Sequence, residues 1–222
     1  MIQDEDVQTD LGQQIDLVVK RGLLDNLPRR LTISPNYFQF EDKTLISSPS
    51  IRFEKSQIEG YRFGIRWIKG FKFIIGREYQ LFIHNKDGKE IKIHFKTVYG
   101  YKKKELHDKF NQILEGVWAF YFADIAGDYL ERFRKEEDIE ICNVGIKKKN
   151  ITIQTSGIFK EKQITIPWNK VATRTYITYY AIYSTDNPAD INRGYSYLND
   201  WNTFVLYSVI ETLLKERANE NN

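Results

Sequence analysis

Short runs of alternating apolar and polar residues fill the first third of the chain after residue 30. These runs are rich in β-branched and aromatic residues, and turn signals such as Ser34-Pro35-Asn36 and Asp87-Gly88 separate them. The expected strands are LTIS, YFQF, SIRFEKSQI, YRFGIRWI, FKFIIG, EYQLFIHN and EIKIHFK. Seven short strands between residues 31 and 96 predict a compact antiparallel sheet or barrel.

The periodicity changes to that of a helix after Lys103. One apolar stripe contains Leu106, Phe110, Ile113, Leu114, Val117 and Tyr121. Six aromatic residues then follow within the 16 residues WAFYFADIAGDYLERF, 118–133. This number exceeds what one face of a helix needs, so we expect Trp118 and Phe122 to contact the second half of the chain or another copy of it. Docking of this helix on a membrane is disfavoured, because its carboxylates would face anionic lipid.

The second half of the chain repeats the order of the first. ITIPWNKVATRTY at 164–176 aligns with IRFEKSQIEGYRF at 51–63, and IEICNVGIKKKN at 139–150 aligns with LTISPNYFQFED at 31–42. The end of the chain, NTFVLYSVIETLLKER, echoes the first helix. The stretch STDNPADINRGYSYLNDW at 184–201 is polar and contains Pro188, so we expect a long loop where the first half has a hairpin. Such self-similarity predicts two copies of one unit.

Each half resembles the bacterial pleckstrin-homology-like domain. The strands IRFEKSQI and ITIPWNKV, the β-type runs after them and the two helices carry this resemblance. It implies an α+β protein, mainly β, made of two strongly bent antiparallel sheets or barrels, each closed by a C-terminal helix. The expected boundaries are a disordered N-terminus at 1–14, a first unit at 15–134, a degenerate second unit at 135–217 and a disordered tail at 218–222.

Pro167 and Trp168 interrupt the strand pattern of the second half. Proline cannot donate a ladder hydrogen bond, so Pro167 predicts a strand edge, a bulge or a break where the sheet bends. Trp168 then either covers the junction between the two units or lines a groove. Both alternatives stay open on the sequence.

Composition limits the classes of partner and the compartment. With 33 basic and 30 acidic residues the net charge is +3, which gives no global attraction to nucleic acid. Cys142 is the only cysteine, so no intramolecular disulfide is possible, and this fits a reducing compartment. The polar, acidic start of the chain does not resemble a signal peptide, and no apolar stretch is long enough to span a bilayer. We therefore expect a cytoplasmic protein without a nucleic-acid partner.

Catalytic and metal-binding signatures are missing from the sequence. It contains no P-loop, nucleophile elbow, zinc-protease or dinucleotide motif. If Asp87-Gly88 is a two-residue turn, His84 and His94 lie on opposite faces of their hairpin and cannot share a metal. Asp186 and Asp190 suggest a calcium loop, but Trp201 stands where the bidentate glutamate belongs. We expect no catalytic residue, no cofactor and no metal.

Basic residues concentrate in three places, one of which is Lys147 to Lys149, and the other two could bind a ligand. Arg62 and Arg66 begin a stripe that ends at Lys72, and Lys102, Lys103 and Lys104 precede the first helix. Lysines at a helix N-terminus oppose the helix dipole unless an anion or acidic neighbour compensates. Eukaryotic relatives of the fold bind phosphoinositides through basic residues of the first interstrand loop, but SPN and NVG carry none here.

The most consistent function is a non-enzymatic binding or scaffolding module. Strand edges and loop rims of such a fold can accept an extended segment of a partner protein, and the aromatic helix can support self-association. The alternative is a peripheral membrane adaptor that binds anionic headgroups through the two basic groups.

Overall fold

The computed structural model describes residues 14–156 and 161–220, and within them the same order of elements occurs twice. Each half contains a four-stranded sheet, a 3₁₀ turn, a three-stranded sheet and a helical segment. The expected α+β class is confirmed. The strands of the described residues form four separate antiparallel sheets and not a closed barrel.

The first half builds its two sheets from seven strands. The four-stranded sheet contains β1 (Ile15–Val19), β2 (Arg29–Ile33), β3 (Tyr37–Glu41) and β4 (Ser50–Glu54) in that spatial order. The three-stranded sheet contains β5 (Ile58–Lys69), β6 (Ile74–Asn85) and β7 (Glu90–Val98). β1 was not among the predicted strands, and FKFIIG and EYQLFIHN contribute to one strand, β6, and not to two.

The second half repeats this arrangement, and the strands of its three-stranded sheet are shorter than those of the first half. Its four-stranded sheet contains β8 (Ile139–Ile141), β9 (Val144–Ile146), β10 (Asn150–Ser156) and β11 (Glu161–Pro167). Its three-stranded sheet contains β12 (Val171–Thr175), β13 (Tyr179–Ser184) and β14 (Asn192–Ser196), and α3 (Thr203–Glu220) ends the described chain.

The prediction of a loop at 184–201 is wrong, because β14 lies within it and pairs with β13 from Tyr179↔Ser196 to Tyr183↔Asn192. Tyr195 is the single buried side chain of β14. This strand is therefore held by its ladder rather than by an apolar pattern.

Part of the predicted internal alignment is confirmed and part is wrong. In both halves a 3₁₀ turn follows the fourth strand, at Lys55–Gln57 and at Trp168–Lys170. Phe53 and Ile166, paired in the alignment, are both buried just before these turns. The alignment of 139–150 with 31–42 is off by one strand, since β8 and β9 stand where the first half has β1 and β2. Consecutive hairpins share one alternation, so the pattern alone does not distinguish them.

The β6–β7 hairpin has a different register from the predicted one. Asn85 N donates to Lys89 O over 3.0 Å, so the turn contains three residues instead of two. As a result His84 pairs with Glu90, and His94 pairs with Gln80. Both histidines therefore lie on the outer face of the sheet, and the prediction of opposite faces is wrong.

The first helix is longer and less regular than the stripe predicts. It consists of α1 (Lys103–Val117), a π-helical turn at Trp118–Phe122 and α2 (Ala123–Arg134). A π turn holds one extra residue, which changes the face that following side chains present. Phe120, Tyr121 and Phe122 are consequently all buried.

The two predicted disordered ends are only partly described. Segment 1–14 lies outside the described residues except for Gln14. At the other end α3 continues to Glu220, so residues 218–220 of the predicted tail are helical.

Candidate binding cleft between the two halves

Aromatic side chains connect the long helix to both halves of the chain. Phe122 is fully buried and stacks on Tyr61 of β5, with 3.8 Å between ring centroids. Trp118 is half-buried and meets the ring of Phe204 in α3 edge to face at 5.0 Å. Such pairs contribute about 0.5–1.5 kcal/mol each beyond the area that they bury. These contacts hold the first helix against α3 within one chain.

The segment after β14 covers part of the free edge of β5. Phe63 N donates to Tyr197 O over 2.7 Å, and Asn202 N donates to Tyr61 O over 2.8 Å. Tyr61 N in turn donates to the side-chain oxygen of Asn202 over 3.1 Å. The second half thus forms hydrogen bonds with this edge much as an added strand would. The part of the edge that it covers contains Tyr61 and Phe63.

Gly64 permits this close approach of the two halves. A Cβ atom at position 64 would lie 2.9 Å from Cβ of Leu198, which is closer than real Cβ atoms come. Any larger residue would displace the covering segment.

Beyond Gly64 the edge of β5 is open. Backbone N–H and C=O groups alternate in direction along a strand, and those of Tyr61 and Phe63 point away from β6. The groups of Ile65 and Trp67 therefore point away from β6 as well. Apart from the β5–β6 ladder on the other side of the strand, no hydrogen bond within residues 14–156 and 161–220 involves the N–H of Ile65 or of Trp67. This part of the strand presents unpaired donors and acceptors.

A cleft of about 960 Å³ lies beside this open edge. β5 forms one wall, α1 contributes to the floor, and the β12–β13 turn and β14 form the opposite wall. Its aromatic and apolar lining consists of Phe63, Ile65, Trp67, Phe110, Leu114, Ile177, Tyr179, Tyr197 and Leu198. Its volume is at the upper end of the roughly 300–1,000 Å³ typical of ligand sites. The cleft is therefore large enough for several side chains of a ligand.

Basic side chains form the rim of the cleft. Arg66 and Lys69 on β5 and Arg77 on β6 line it. Arg66 contacts Glu78 at 2.5 Å, and the guanidinium of Arg77 lies 4.4 Å from the ring centre of Trp67. From Arg62 to Arg77 the sequence contains no carboxylate. Three basic side chains against the single carboxylate of Glu78 give the rim a net positive charge, which the near-balanced composition of the whole chain does not reveal.

The β5–β6 arm, residues 64–78, ends in an exposed aromatic tip. The turn is closed by Gly70 N donating to Phe73 O over 2.7 Å, and Phe71 at this turn is 95% exposed. Lys69 and Lys72 lie on either side of Phe71 in the sequence. Across the cleft, Ile177 is fully exposed at the β12–β13 turn. Two apolar tips thus flank one opening.

Trp168 is buried at the base of the second half. Its indole N–H donates to Lys147 O over 2.8 Å, and its ring meets Phe133 of α2 edge to face. The guanidinium of Arg217 lies 4.6 Å from the ring centre. Of the two alternatives, this burial fits a residue that covers the junction and not one that lines a groove.

Arg62 is also part of the junction. Its guanidinium lies 4.3 Å from the ring centre of Phe82 and 4.6 Å from that of Trp201, and it reaches Glu90 at 3.5 Å. Stacked between two rings, Arg62 is not available as a free cation.

Lys102, Lys103 and Lys104, at the start of α1, are exposed and lie outside the cleft lining. Lys102 adopts a left-handed conformation and pairs with Glu105 at 3.0 Å, so a carboxylate in the first turn offsets the unfavourable dipole. Lys103 and Lys104 remain exposed on this first turn. Among the predicted site residues, Arg66 alone lines the cleft.

A second depression beside α2, of about 720 Å³, is less suited to one class of ligand. Its lining includes Lys55 and Arg132 but also Asp124, Asp128 and Glu131. Lys55 and Asp124 pair at 2.6 Å, so opposite charges compensate one another within the depression.

Reactive groups do not converge in the described residues. Burial raises the pKa of the Cys142 thiol to about 12, and its Sγ lies 2.6 Å from Trp201 O, so this cysteine is not a thiolate nucleophile near neutral pH. Within the described part of the chain, no group of three His, Cys, Asp or Glu side chains could hold a metal ion. Asp186 of the suspected calcium loop pairs with Lys170 at 2.7 Å.

The sequence contained one signal for the cleft that the strand prediction did not use. In IRWIKGFKFIIGR, apolar residues occur at successive as well as at alternate positions, as in Trp67-Ile68 and Phe73-Ile74-Ile75, so both faces of the arm carry apolar groups. The opposite wall gave no comparable signal, because it depends on how the two halves pack.

Comparison with known proteins finds no family model, no curated protein and no solved structure that matches this chain. None of the helices in the described residues has the length and apolar character needed to cross a bilayer.

Proposed function

We propose that this chain is a non-enzymatic interaction module, a tandem of two pleckstrin-homology-like units, that binds a segment of another protein in the cleft between its halves. The cleft carries the proposal. It combines an apolar lining, a basic rim and a strand edge with unpaired backbone groups, and a peptide can use all three at once. A small molecule has no use for a row of backbone donors and acceptors.

Self-association through the aromatic helix has less support. Phe120, Tyr121 and Phe122 are buried inside the chain, and Trp118 already contacts α3. A second copy would find mainly the charged and half-buried residues of α2. Binding through this helix stays a prediction, separate from the cleft.

Photo-crosslinking in the cells that produce the protein tests the proposal. A photoreactive phenylalanine replaces Trp67 or Ile177 in the cleft, and in the control it replaces Ile46. Ile46 is 99% exposed in the β3–β4 connection and matches Ile177 in residue type and exposure. We expect crosslinks to one and the same protein from positions 67 and 177, and none to it from position 46. Crosslinking that is equal at all three positions would count against the cleft.

The tip of the arm favours a second function, binding to an anionic membrane surface. Phe71 is 95% exposed and Phe73 is 63% exposed, while Lys69 and Lys72 supply the positive charge that anionic headgroups attract. Lys102, Lys103 and Lys104 could add to this charge. An aromatic residue with this degree of exposure often marks a surface that binds a partner or a membrane.

Sedimentation with vesicles distinguishes this second function from the first. Vesicles with about one third phosphatidylserine should retain the protein at low salt and release it at high salt, because exposed charges are screened. Phe71→Ser should reduce binding, and Leu45→Ser should not. Leu45 is a suitable control because it is 90% exposed on the β3–β4 connection. If the protein stays in the supernatant at low salt, the membrane function is excluded.

A further inference from the structure

The open half of the β5 edge and the basic rim together define what the cleft would bind. We propose that the cleft takes an acidic protein segment, which adds to β5 as an extra strand beside Ile65 and Trp67. This inference rests on the proposed function and specifies its ligand and its mode of binding.

The chain already uses the neighbouring part of this edge in the same manner. Tyr197 O accepts from Phe63 N, and Asn202 N donates to Tyr61 O, so a segment without regular structure follows β5 at hydrogen-bonding distance. At Gly64 this segment turns away, with Leu198 packed against the glycine. A ligand strand would lie along the same edge of β5, beyond the point where this segment turns away. The next outward groups belong to Ile65 and Trp67, and both residues line the cleft.

Basic side chains lie on both faces of the strand edge to which the segment would add. Arg66 and Trp67 are successive residues, so their side chains point to opposite faces of the sheet. Arg77 pairs with Trp67 and stacks on it, which places one arginine on each face. Lys69 is exposed and has no ion pair within the described residues. An acidic segment would meet Lys69 and Arg77, which have no ion pair within the described residues, and Arg66, which pairs with Glu78, whereas a basic segment would be repelled.

Hydrogen exchange measured by NMR on the full-length chain tests strand addition directly. The probe is a mixture of seven-residue peptides with Asp or Glu at alternate positions and apolar residues between them. In the free chain the amides of Arg66 and Ile68, which face β6, should exchange slowly, and those of Ile65 and Trp67 should exchange fast. The acidic mixture should slow exchange of the Ile65 and Trp67 amides by roughly fivefold, which corresponds to a hydrogen bond worth about 1 kcal/mol.

Two matched probes separate backbone pairing from charge. The same acidic mixture with N-methylated backbone keeps its side chains but cannot form the ladder, so it should leave the exchange of Ile65 and Trp67 unchanged. A mixture with Lys in place of the acidic residues should bind at least roughly tenfold more weakly, since it meets the same cations. Equal protection by the methylated peptides would overturn strand addition, and equal binding of the basic mixture would overturn the preference for acidic segments.

Variants of the chain complete the test. Lys69→Glu removes a rim cation that holds no ion pair and should weaken binding of the acidic mixture several-fold at low salt. Lys20→Glu makes the same charge change on an exposed residue outside the cleft and should have no effect. No protection of Ile65 and Trp67 at millimolar acidic peptide would overturn the inference.

The proposed function can fail separately from this inference. A partner crosslinked from positions 67 and 177, together with no protection by the peptides, would leave protein binding in place and exclude strand addition. Protection by the peptides without any cellular crosslink would support strand addition and count against a protein partner in those cells.

Discussion

The substitution Gly76→Ala in β6 tests the packing of β6 against β7 at the base of the arm. A Cβ atom at this position would lie 2.1 Å from Thr97 O and 3.1 Å from the carbonyl carbon of Thr97. These are backbone atoms of β7, which the ladder with β6 holds in place from Gly76↔Val98 to His84↔Glu90. No side-chain rotation can relieve the contact. Either β7 moves away by about 1 Å or the ladder breaks locally.

The magnitude follows from two opposing effects. Forcing an extra carbon into a packed site costs typically 1–3 kcal/mol. Replacing glycine restricts the unfolded chain and returns about 0.4–1 kcal/mol. We therefore expect Gly76→Ala to lower the free energy of unfolding by about 1–2 kcal/mol.

Gly127 in α2 provides the matched control. No heavy atom lies within 4 Å of the Cβ that alanine would add there. Gly127→Ala should therefore raise the free energy of unfolding by about 0.5–1 kcal/mol, the usual preference of a helix interior for alanine. One chemical change thus has opposite signs at the two positions.

Urea unfolding followed by circular dichroism measures both variants, with the slope of the transition compared to that of the parent chain. A Gly76→Ala protein as stable as the parent would refute the close approach of β6 and β7. A destabilised Gly127→Ala protein would refute the open surroundings of Gly127 and, with them, the placement of α2.

Three further predictions concern single side chains. The hydroxyl of Tyr121 lies 2.7 Å from Ser34 O, so Tyr121→Phe should lower the free energy of unfolding in urea by about 1–2 kcal/mol; an unchanged midpoint would contradict that contact. Trp168→Phe loses the N–H bond to Lys147 O and some volume, so its melting temperature should fall while peptide binding in the cleft persists; loss of binding would place Trp168 in a groove after all. Burial lowers the pKa of His94, so the folded state binds its proton more weakly than the unfolded chain does. Stability should therefore fall as the pH drops below about 6.5, and His94→Gln should reduce this fall; an identical pH dependence in the variant would contradict the burial.

Predictions from the sequence were right where the pattern of apolar side chains alone determines a helix or strand. The stripe from Leu106 to Tyr121 predicted a helix, and its core positions Phe110, Ile113 and Val117 are buried. The pairing of Phe53 with Ile166 was also right, because a buried residue before a bend is required in each half. In these cases burial of apolar area, the dominant stabilising effect, leaves a visible pattern.

The errors arose where hydrogen bonds and turn length decide the structure. One extra residue in the turn after Asn85 moved His84 to the other face of its sheet. β14 has a polar sequence with one buried side chain, so its existence depends on backbone pairing that alternation does not report. The π turn at Trp118–Phe122 likewise changes the helix phase without a distinct residue signature.

The cleft could not be predicted because its walls belong to different halves. Arg66 was identified from its charge, but its role at a rim depends on Leu198 packing against Gly64. Leu198 lies in the stretch that was expected to be a loop. A site between two halves depends on how the halves pack together, and no local sequence pattern reports that packing.

The basic residues on β5 have a second physical explanation, and the arm itself argues against it. Lysine and arginine on an edge strand often serve to prevent edge-to-edge aggregation. A purely protective edge needs no exposed apolar side chains beside its charges, because such side chains promote association. Here Trp67 is 46% exposed and Ile74 is 56% exposed beside the same charges. An edge that combines unpaired backbone groups, exposed apolar side chains and a net positive charge is better suited to selecting an acidic partner than to avoiding all partners.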